Sequence, residues 1–368
     1  MFTTPIIQFG TSRFLQAHVD LFVSEALKTD AALGRIAVVQ STGDAARAKR
    51  LAALANGYDV RLRGIANGTT TDETIRVRSV AKTFSLNKDR RAVERIIAEE
   101  ARIILSNTGD AGFAPQSADA SPRFDDAMSY PAKLAHLLRA KYEAGGTPIQ
   151  IMPTELVQDN GATLKRLVLN AAPREDTGYR DWLDGGVVWV NSLVDRIVSQ
   201  PLDPAGAVAE PYALWAIEEC PGLVSPCVHP DVRIVPDLGP VARRKLFILN
   251  LGHTWIVSRW LARGKSGAVF VRDVMADPTW STDLRRLYET EVLPAFVAAG
   301  EGDGITDYMN TTLDRFANPF LDHNLSDIAQ NHVEKLRRRV AAFVDWAQAN
   351  GDATPKPMLN QALQGSAA

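Results

Sequence analysis

The chain has 368 residues, 46% of them hydrophobic and 23% charged. This is ordinary composition for a folded protein, so a disordered or fibrous chain is excluded, and the length favours two domains over one. Its 41 Lys and Arg against 43 Asp and Glu leave a net charge of −2, which removes the electrostatic footprint of a binder of nucleic acid or anionic membrane.

Met1 to Gly10 has no early Lys or Arg, and Gln8 interrupts its short apolar stretch, so it does not read as a signal peptide. No apolar run nears the roughly 20 residues that span a bilayer. A cytoplasmic protein is expected. Over residues 1–150 short β-rich runs alternate with helical patterns, the signature of a parallel sheet with crossover helices. The strands are predicted at Pro5–Phe9, Ile36–Gln40, Arg102–Ser106 and Pro148–Met152. Between the first two, Phe14, Ala17, Leu21 and Ala26 recur at near-helical spacing, predicting a helix over Arg13–Leu27 with Ser12 as its N-cap.

Such sheets bind ligands beyond the carboxyl ends of their strands. After the first strand, FGTSRFLQAH turns at Gly10 into a helix N-terminus whose free N–H groups attract a pyrophosphate. The usual G-x-G-x-x-G is reduced here to Gly10, Ser12 and Leu15. The second strand ends in Gln40, Ser41 and Thr42, with Asp44 the nearest acid and Arg47, Lys49 and Arg50 following. An acid at this tip would bond the ribose of NAD, whereas the bases, a solvated helix face, could accept the extra phosphate of NADP, so both nucleotides stay open. In ILSNTGDAG, Asn107, Thr108 and Asp110 follow a buried strand, where small polar groups line a nicotinamide-ribose site or simply form a turn.

Val187–Asn191 is one more β-like run, and the Pro-rich stretch after it, to about Pro240, predicts an irregular connection. Cys220 and Cys227 lie in it and are read as free thiols, since two cysteines in so long a chain make no disulfide framework. With His229 they form C-x6-C-x-H, which is not a standard zinc spacing and has no fourth ligand nearby. No metal is expected. From Ala242 onward the pattern is helical. A last helix over about Asn331–Ala349 puts Val333, Leu336, Val340, Phe343 and Val344 on one face, with Lys335, Arg337 and Arg338 on a solvated one. The tail after Gly351 carries no convincing pattern and is expected to fray or lie along the surface. There is no internal repeat.

The most informative segment is RRKLFILNLGHTWIVSRW. In a helix Asn250 and His253 stand one turn apart, and Lys245 lies about 12 Å along the axis from His253. The apolar LFILNLG that follows Lys245 predicts its partial burial, and desolvation leaves a lysine amine able to accept a proton.

Here the chain resembles the long-chain polyol-specific dehydrogenases, a family that includes mannitol dehydrogenases and the tagaturonate and fructuronate (mannonate) reductases. Lys245, Asn250 and His253 match its K-x4-N-x2-H motif, and QFGTSRFLQAH, SNTGDAG, YPAKLAHLL, PTELVQDNG, VNSLVDRIV and DRFANPFLDHNLSDIAQN extend the similarity over residues 5 to about 340. The resemblance implies an α/β, Rossmann-like parallel-sheet N-terminal domain over 1–240 and a mostly α-helical domain over 241–368, with the active site in the cleft between them. It also implies metal-independent hydride transfer with NAD, NADP remaining open. Lys245 would be the acid/base, while Asn250 and His253 hold the reacting oxygen. Asn160, Asp195 and His323 would lie by the substrate. Arg315, or Arg196, would meet a substrate carboxylate, although Arg315 and Asn318 also suit a role in fixing their loop. Gly10, Thr11, Ser12, Phe14, Gln40, Ser41, Asn107 and Thr108 would form the cofactor side.

Three departures from the family pattern stand out: a shorter chain with a trimmed C-terminal domain, Ser12 in place of the second turn glycine, and Gly109–Asp110 in place of a Thr–Glu pair. The wording of PTELVQDNG and NSLVDRIV is closer to the keto-uronate reductases than to mannitol dehydrogenases. The expected partner is therefore a small sugar acid or polyol, with the oligomeric state open. The alternatives are a nicotinamide-binding sensor that has lost its chemistry and a 2-hydroxyacid or hydroxyacyl dehydrogenase of similar build.

Overall fold

In the computed structural model, which describes residues 3–41 and 46–364 and only the backbone of Ala46, Arg47 and Asp110, the apolar runs of the N-terminal half form one parallel sheet. The strands up to residue 189 are β1 Ile6–Phe9, β2 Ile36–Gln40, β3 Tyr58–Ala66, β4 Thr69–Val77, β5 Val80–Ser85, β6 Ile103–Ser106, β7 Ile149–Pro153 and β8 Val187–Trp189. The six-stranded sheet runs β5-β2-β1-β6-β7-β8, with Ile6 of β1 level with Ile36 of β2 and Ile103 of β6. Every residue of β1, β2, β6 and β7 is buried, because helices such as Leu86–Glu99 and Tyr130–Glu143 cover the sheet and leave no face for alternation. Strand order reverses between β1 and β6, so the crevice beyond their carboxyl ends is the topological switch point.

The predicted central strands fall within a residue or two of those observed. Ser12 caps as expected, its hydroxyl accepting from the Leu15 N–H at 3.2 Å. The predicted helix Arg13–Leu27 is instead two, Arg13–Gln16 and Val19–Ala26, broken at His18. That imidazole is fully buried, stacked on Phe14, and its Nε2 donates to the Leu214 carbonyl at 2.9 Å, a long-range bond that overrides the local helical spacing.

The connection expected to be irregular up to Pro240 holds five strands: β9 Ser192–Asp195, β10 Val198–Pro201, β11 Gly206–Ala209, β12 Leu214–Glu218 and β13 Val232–Val235. They build a sheet β13-β12-β9 and, with the long hairpin, a sheet β10-β11-β3-β4. Strands of four or five residues leave too few repeats for a periodicity to register. Of the hairpin strands, β3 does alternate, burying Tyr58, Val60 and Leu62, while β4 buries only Val77. Cys220 and Cys227 are free, and His229 is 3.0 Å from the Glu25 carboxylate.

The first compact unit comprises residues 1–61, 73–209 and 213–238; the second takes 239–368 together with 62–72 and 210–212. Polar bonds hold both inserts within the second unit: Asn318 Nδ2 donates to the Arg63 carbonyl at 3.1 Å and the Gly68 N–H to Asp314 at 3.0 Å, while Arg315 Nη2 donates to Glu210 at 2.8 Å. The second unit is helical around a core that includes Trp255, Leu284, Tyr288, Phe296, Val340, Phe343 and Leu359. Two expectations fail there. Val333 is 70% exposed, outside the stripe of Leu336, Val340 and Phe343. The tail forms a helix, Pro357–Gln364, because the Glu291 carboxylate accepts from the N–H groups of Met358 and Leu359 at 2.8 and 3.0 Å, satisfying its orphan donors while Leu359 is fully buried. No helix of the described residues is long and apolar enough to cross a membrane.

Among the carboxyls that the first unit buries, Asp20 is held at a cost. Asp20 is fully buried, and the Tyr58 hydroxyl donates to its Oδ2 at 2.7 Å while Oδ1 finds no donor. Burial pushes its pKa up to about 7. Because the folded state holds this proton more tightly than the unfolded chain, Asp20 favours folding most at acid pH, and that contribution is lost as pH rises toward 7. Asp20→Asn places an N–H at the unsatisfied position and should make the protein more stable at neutral pH. Its advantage, read by urea unfolding, should grow between about pH 4 and 7 to on the order of a few kcal/mol and then level off. Parallel pH profiles for the two proteins would disprove a protonated Asp20.

Candidate active site

In the first unit the loops at the switch point enclose a cavity of about 420 Å³, within the size range of small-molecule sites. Gly10, Thr11, Ser12, Gln40, Ser41, Asn107 and Thr108 line it, seven of the eight residues predicted for the cofactor side. Phe14 does not, its ring being stacked on His18. Thr42 and Asp44 lie outside the described residues, as do the side chains of Arg47 and Asp110.

Gly10 has φ +121°, and a Cβ there would fall 2.6 Å from the Asn107 carbonyl oxygen, so the β1 and β6 loops meet only because this residue is glycine. The Ser12 hydroxyl donates to Asn107 Oδ1 at 2.9 Å, joining the two loops, and Asn107 Nδ2 donates to Thr154 Oγ1 at 3.2 Å. The backbone of the turn and the small polar rim suit a dinucleotide pyrophosphate. Two residues that sequence reasoning missed support the cavity, Glu155 from behind Thr108 and Lys133 in its lining. Glu155 is 3% exposed and accepts from the Thr108 N–H (2.9 Å), the Thr108 hydroxyl (3.0 Å) and the Ser106 hydroxyl (3.0 Å). Burial raises its pKa, against the pull of those donors. It sits in PTELVQDNG just past the carboxyl end of β7, and that position was its signal. Lys133, from YPAKLAHLL, lines the cavity, donates to the Ser41 carbonyl at 3.3 Å and has its pKa lowered by burial, which Asp126, Asp125 and Asp119 oppose.

Asn160 is 1% exposed, and its amide is fully engaged with backbone. Nδ2 donates to the carbonyls of Ser192, Pro153 and Glu155 at 2.9–3.1 Å, and Oδ1 accepts from the N–H groups of Ser192 and Gly161. It clamps the end of β7 to β9. Asp195 is buried at the end of β9, level with Leu214 of β12. Arg196 is buried as well, its Nη1 donating to the Ala17 carbonyl at 2.6 Å.

In the second unit, residues 239–262 form one rod with a π-helical turn, Lys245–Asn250, between Gly239–Arg244 and Leu251–Ala262. This turn changes the geometry of the motif. In an α-helix a residue five positions on lies about 140° round the axis, whereas a π turn closes with an i→i+5 bond that sets it nearly overhead. Lys245 therefore stands over Asn250, one turn before His253, and is half-buried as predicted. Gly252 is required here: a Cβ would fall 1.9 Å from Tyr288 Oη, the hydroxyl that donates to the Ile248 carbonyl inside the π turn at 2.8 Å.

His253 is 6% exposed, packed 4.2 Å from the Phe316 ring and 4.6 Å from the His323 ring between centroids, and its Nε2 has no partner. Burial, then His323, Arg315, Arg339 and Lys335, hold its pKa well below the usual histidine value, so the imidazole is neutral. Burial also lowers that of His323. Arg315 is not a loose cation: Nε and Nη2 donate to Glu210 at 3.0 and 2.8 Å, and its guanidinium lies over the Tyr212 ring. Among the described residues no group of three or more His, Cys, Asp or Glu could hold a metal ion.

Comparison with known proteins extends this geometry. Residues 4–224 match the family model of the mannitol dehydrogenase Rossmann domain and residues 237–363 that of the mannitol dehydrogenase C-terminal domain. The chain is 30% identical over 377 residues to altronate oxidoreductase of Bacillus subtilis (strain 168), covering 94% of this chain and 76% of that protein. It is 31% identical over 388 residues to altronate oxidoreductase of Klebsiella pneumoniae (strain 342), covering 97% and 78%. In fold it is similar to D-sorbitol dehydrogenase in substrate-free form (TM-score 0.83, 19% identity, 99% of this chain and 80% of that one). It is likewise similar to Pseudomonas fluorescens mannitol 2-dehydrogenase in ternary complex with NAD and D-mannitol (TM-score 0.73, 18% identity, 99% and 78%).

Proposed function

Because the chain belongs to the mannitol dehydrogenase family, we propose that it is an NAD-dependent dehydrogenase of the cytoplasm that interconverts a secondary hydroxyl and a ketone on a sugar acid, keto-uronate to aldonate. The altronate oxidoreductases similar to it along most of its length support the acid over a neutral polyol. The observation that carries the chemistry is the buried imidazole of His253, neutral and with Nε2 unpartnered, one turn from Asn250 on a helix whose π turn sets Lys245 above them.

The cavity at the Gly10 turn would hold the dinucleotide, which would supply the hydride acceptor for oxidation and the hydride donor for reduction. Lys245 Nζ takes the hydroxyl proton in oxidation and gives it back in reduction. The Asn250 amide and the His253 Nε2–H donate to the oxygen as it gains negative charge. A neutral imidazole suits this role, since it stabilises the oxyanion without surrendering its own proton. His323 packs against His253 and orients it, and Arg315 keeps its fork on Glu210 while its charge adds to the burial that keeps both imidazoles neutral. Asn160 acts indirectly, by fixing the β7 loop, and Asp195 is buried at the end of β9.

The test is a spectrophotometric screen at 340 nm with NAD and NADP in parallel across hexuronates, aldonates and alditols. Reduction of a keto-uronate with NADH, faster than that of the matching neutral ketose, is the expected result. Turnover confined to neutral polyols or to short 2-hydroxyacids would overturn the assignment.

A further inference from the structure

Two cations stand beside the imidazole pair, and neither is paired with an acid among the described residues. Lys335 and Arg339 lie one turn apart, on His332–Leu336 and the π turn Arg337–Ala341 that continues it. Both are half-buried. Lys335 Nζ donates to the Ile328 carbonyl at 2.7 Å, and Arg339 Nη1 to the hydroxyl of Thr254, the residue after His253, at 3.2 Å. These are neutral acceptors. Arg315, by contrast, carries a buried carboxylate of its own. Among the described residues the one acid that bears on the cluster is the exposed Asp327, acting on His323. Leaving two like charges half-desolvated is unfavourable, and an anion arriving between them relieves it. The unpartnered Nε2 of His253 marks the same place as one where a ligand is expected.

We infer that Lys335, supported by Arg339, forms the subsite for the substrate's carboxylate, so that discrimination between sugar acids and neutral sugars resides in this helix and not in Arg315 or Arg196. The inference builds on the sugar-acid assignment above and adds its anchoring residues. It also explains why the predicted solvated face is only half right: Arg337 and Arg338 are exposed, but Lys335 and Arg339 turn inward.

The test compares Lys335→Met and Lys335→Arg with the unaltered chain. For Lys335→Met the ratio of kcat/KM on a keto-uronate to that on the matching neutral ketose should fall about 10–100-fold, the range of a charge-assisted hydrogen bond. The loss should lie in KM, and Lys335→Arg should retain most of the ratio. An equal loss on both substrates, or an unchanged ratio, would overturn the carboxylate role. Calorimetric titration with galactarate, without nucleotide, reads the subsite independently of turnover. Binding that Lys335→Met weakens at least tenfold supports the subsite even if no keto-uronate is reduced, in which case the enzymatic assignment alone fails. Turnover of keto-uronates with no effect of Lys335→Met on either measurement leaves that assignment standing and removes the subsite. Absence of both binding and acid turnover removes both.

Discussion

Lys245→Ala should lower kcat by about 10²–10⁴-fold, the share that a positioned proton-transfer group contributes, while the affinity for nucleotide, followed by quenching of protein fluorescence, should stay within a factor of about two. The separation is expected because the Gly10 turn and the rim that line the nucleotide cavity belong to the first unit, while Lys245 belongs to the second. A small primary amine added to the assay should restore part of the lost rate in Lys245→Ala, since it supplies a base of the same kind to the vacated space. A structural defect would show no such rescue. Turnover near normal in Lys245→Ala would remove Lys245 from the proton-transfer role and leave Asn250 and His253 without a base.

The second large effect concerns stability. Glu210 and Arg315 have side chains 2% exposed and are joined by two hydrogen bonds, Nε to Oε2 at 3.0 Å and Nη2 to Oε1 at 2.8 Å. Glu210→Ala leaves the guanidinium buried without its carboxylate, which should cost about 3–5 kcal/mol in chemical denaturation. Replacing the pair together, Glu210→Leu with Arg315→Met, should recover much of that loss, because apolar groups of similar size remove both the desolvation penalty and the attraction that offset it. A small loss in Glu210→Ala, near the 0–1 kcal/mol of an exposed pair, would show that water reaches this site. The two predictions are independent, since one reads chemistry with the fold intact and the other reads the fold.

Much of this was legible in the residues. The central strands of the sheet are near-continuous runs such as IIQF, IAVVQ and IILS, and burial on both faces requires such runs. The loops after them were therefore identifiable as the ligand side, and all but one of the expected cofactor residues line one cavity. What escaped notice shares a cause. The strands of 192–235 and the hairpin strand β4 are too short or too polar to carry a period, and only the pairing of β11 with β3 and of β12 with β9 and β13 draws them into sheets. His18 breaks a helix for the sake of a carbonyl nearly 200 positions away. Glu155 and Lys133 stood within quoted motifs, yet their partners, Thr108 and Ser41, come from other loops.

The sequence by itself determined the class of the protein, an α/β nucleotide fold followed by helices, and pointed to the residues proposed for proton transfer and oxyanion binding, because apolar periodicity and side-chain chemistry are local properties. Only the tertiary structure decided how those residues are charged and aimed. The π turn that carries Lys245 over Asn250 is a matter of backbone hydrogen bonding that no spacing rule reveals. The neutrality of His253 and the contrast between a paired Arg315 and an unpaired Lys335 follow from burial and from which charges approach through space.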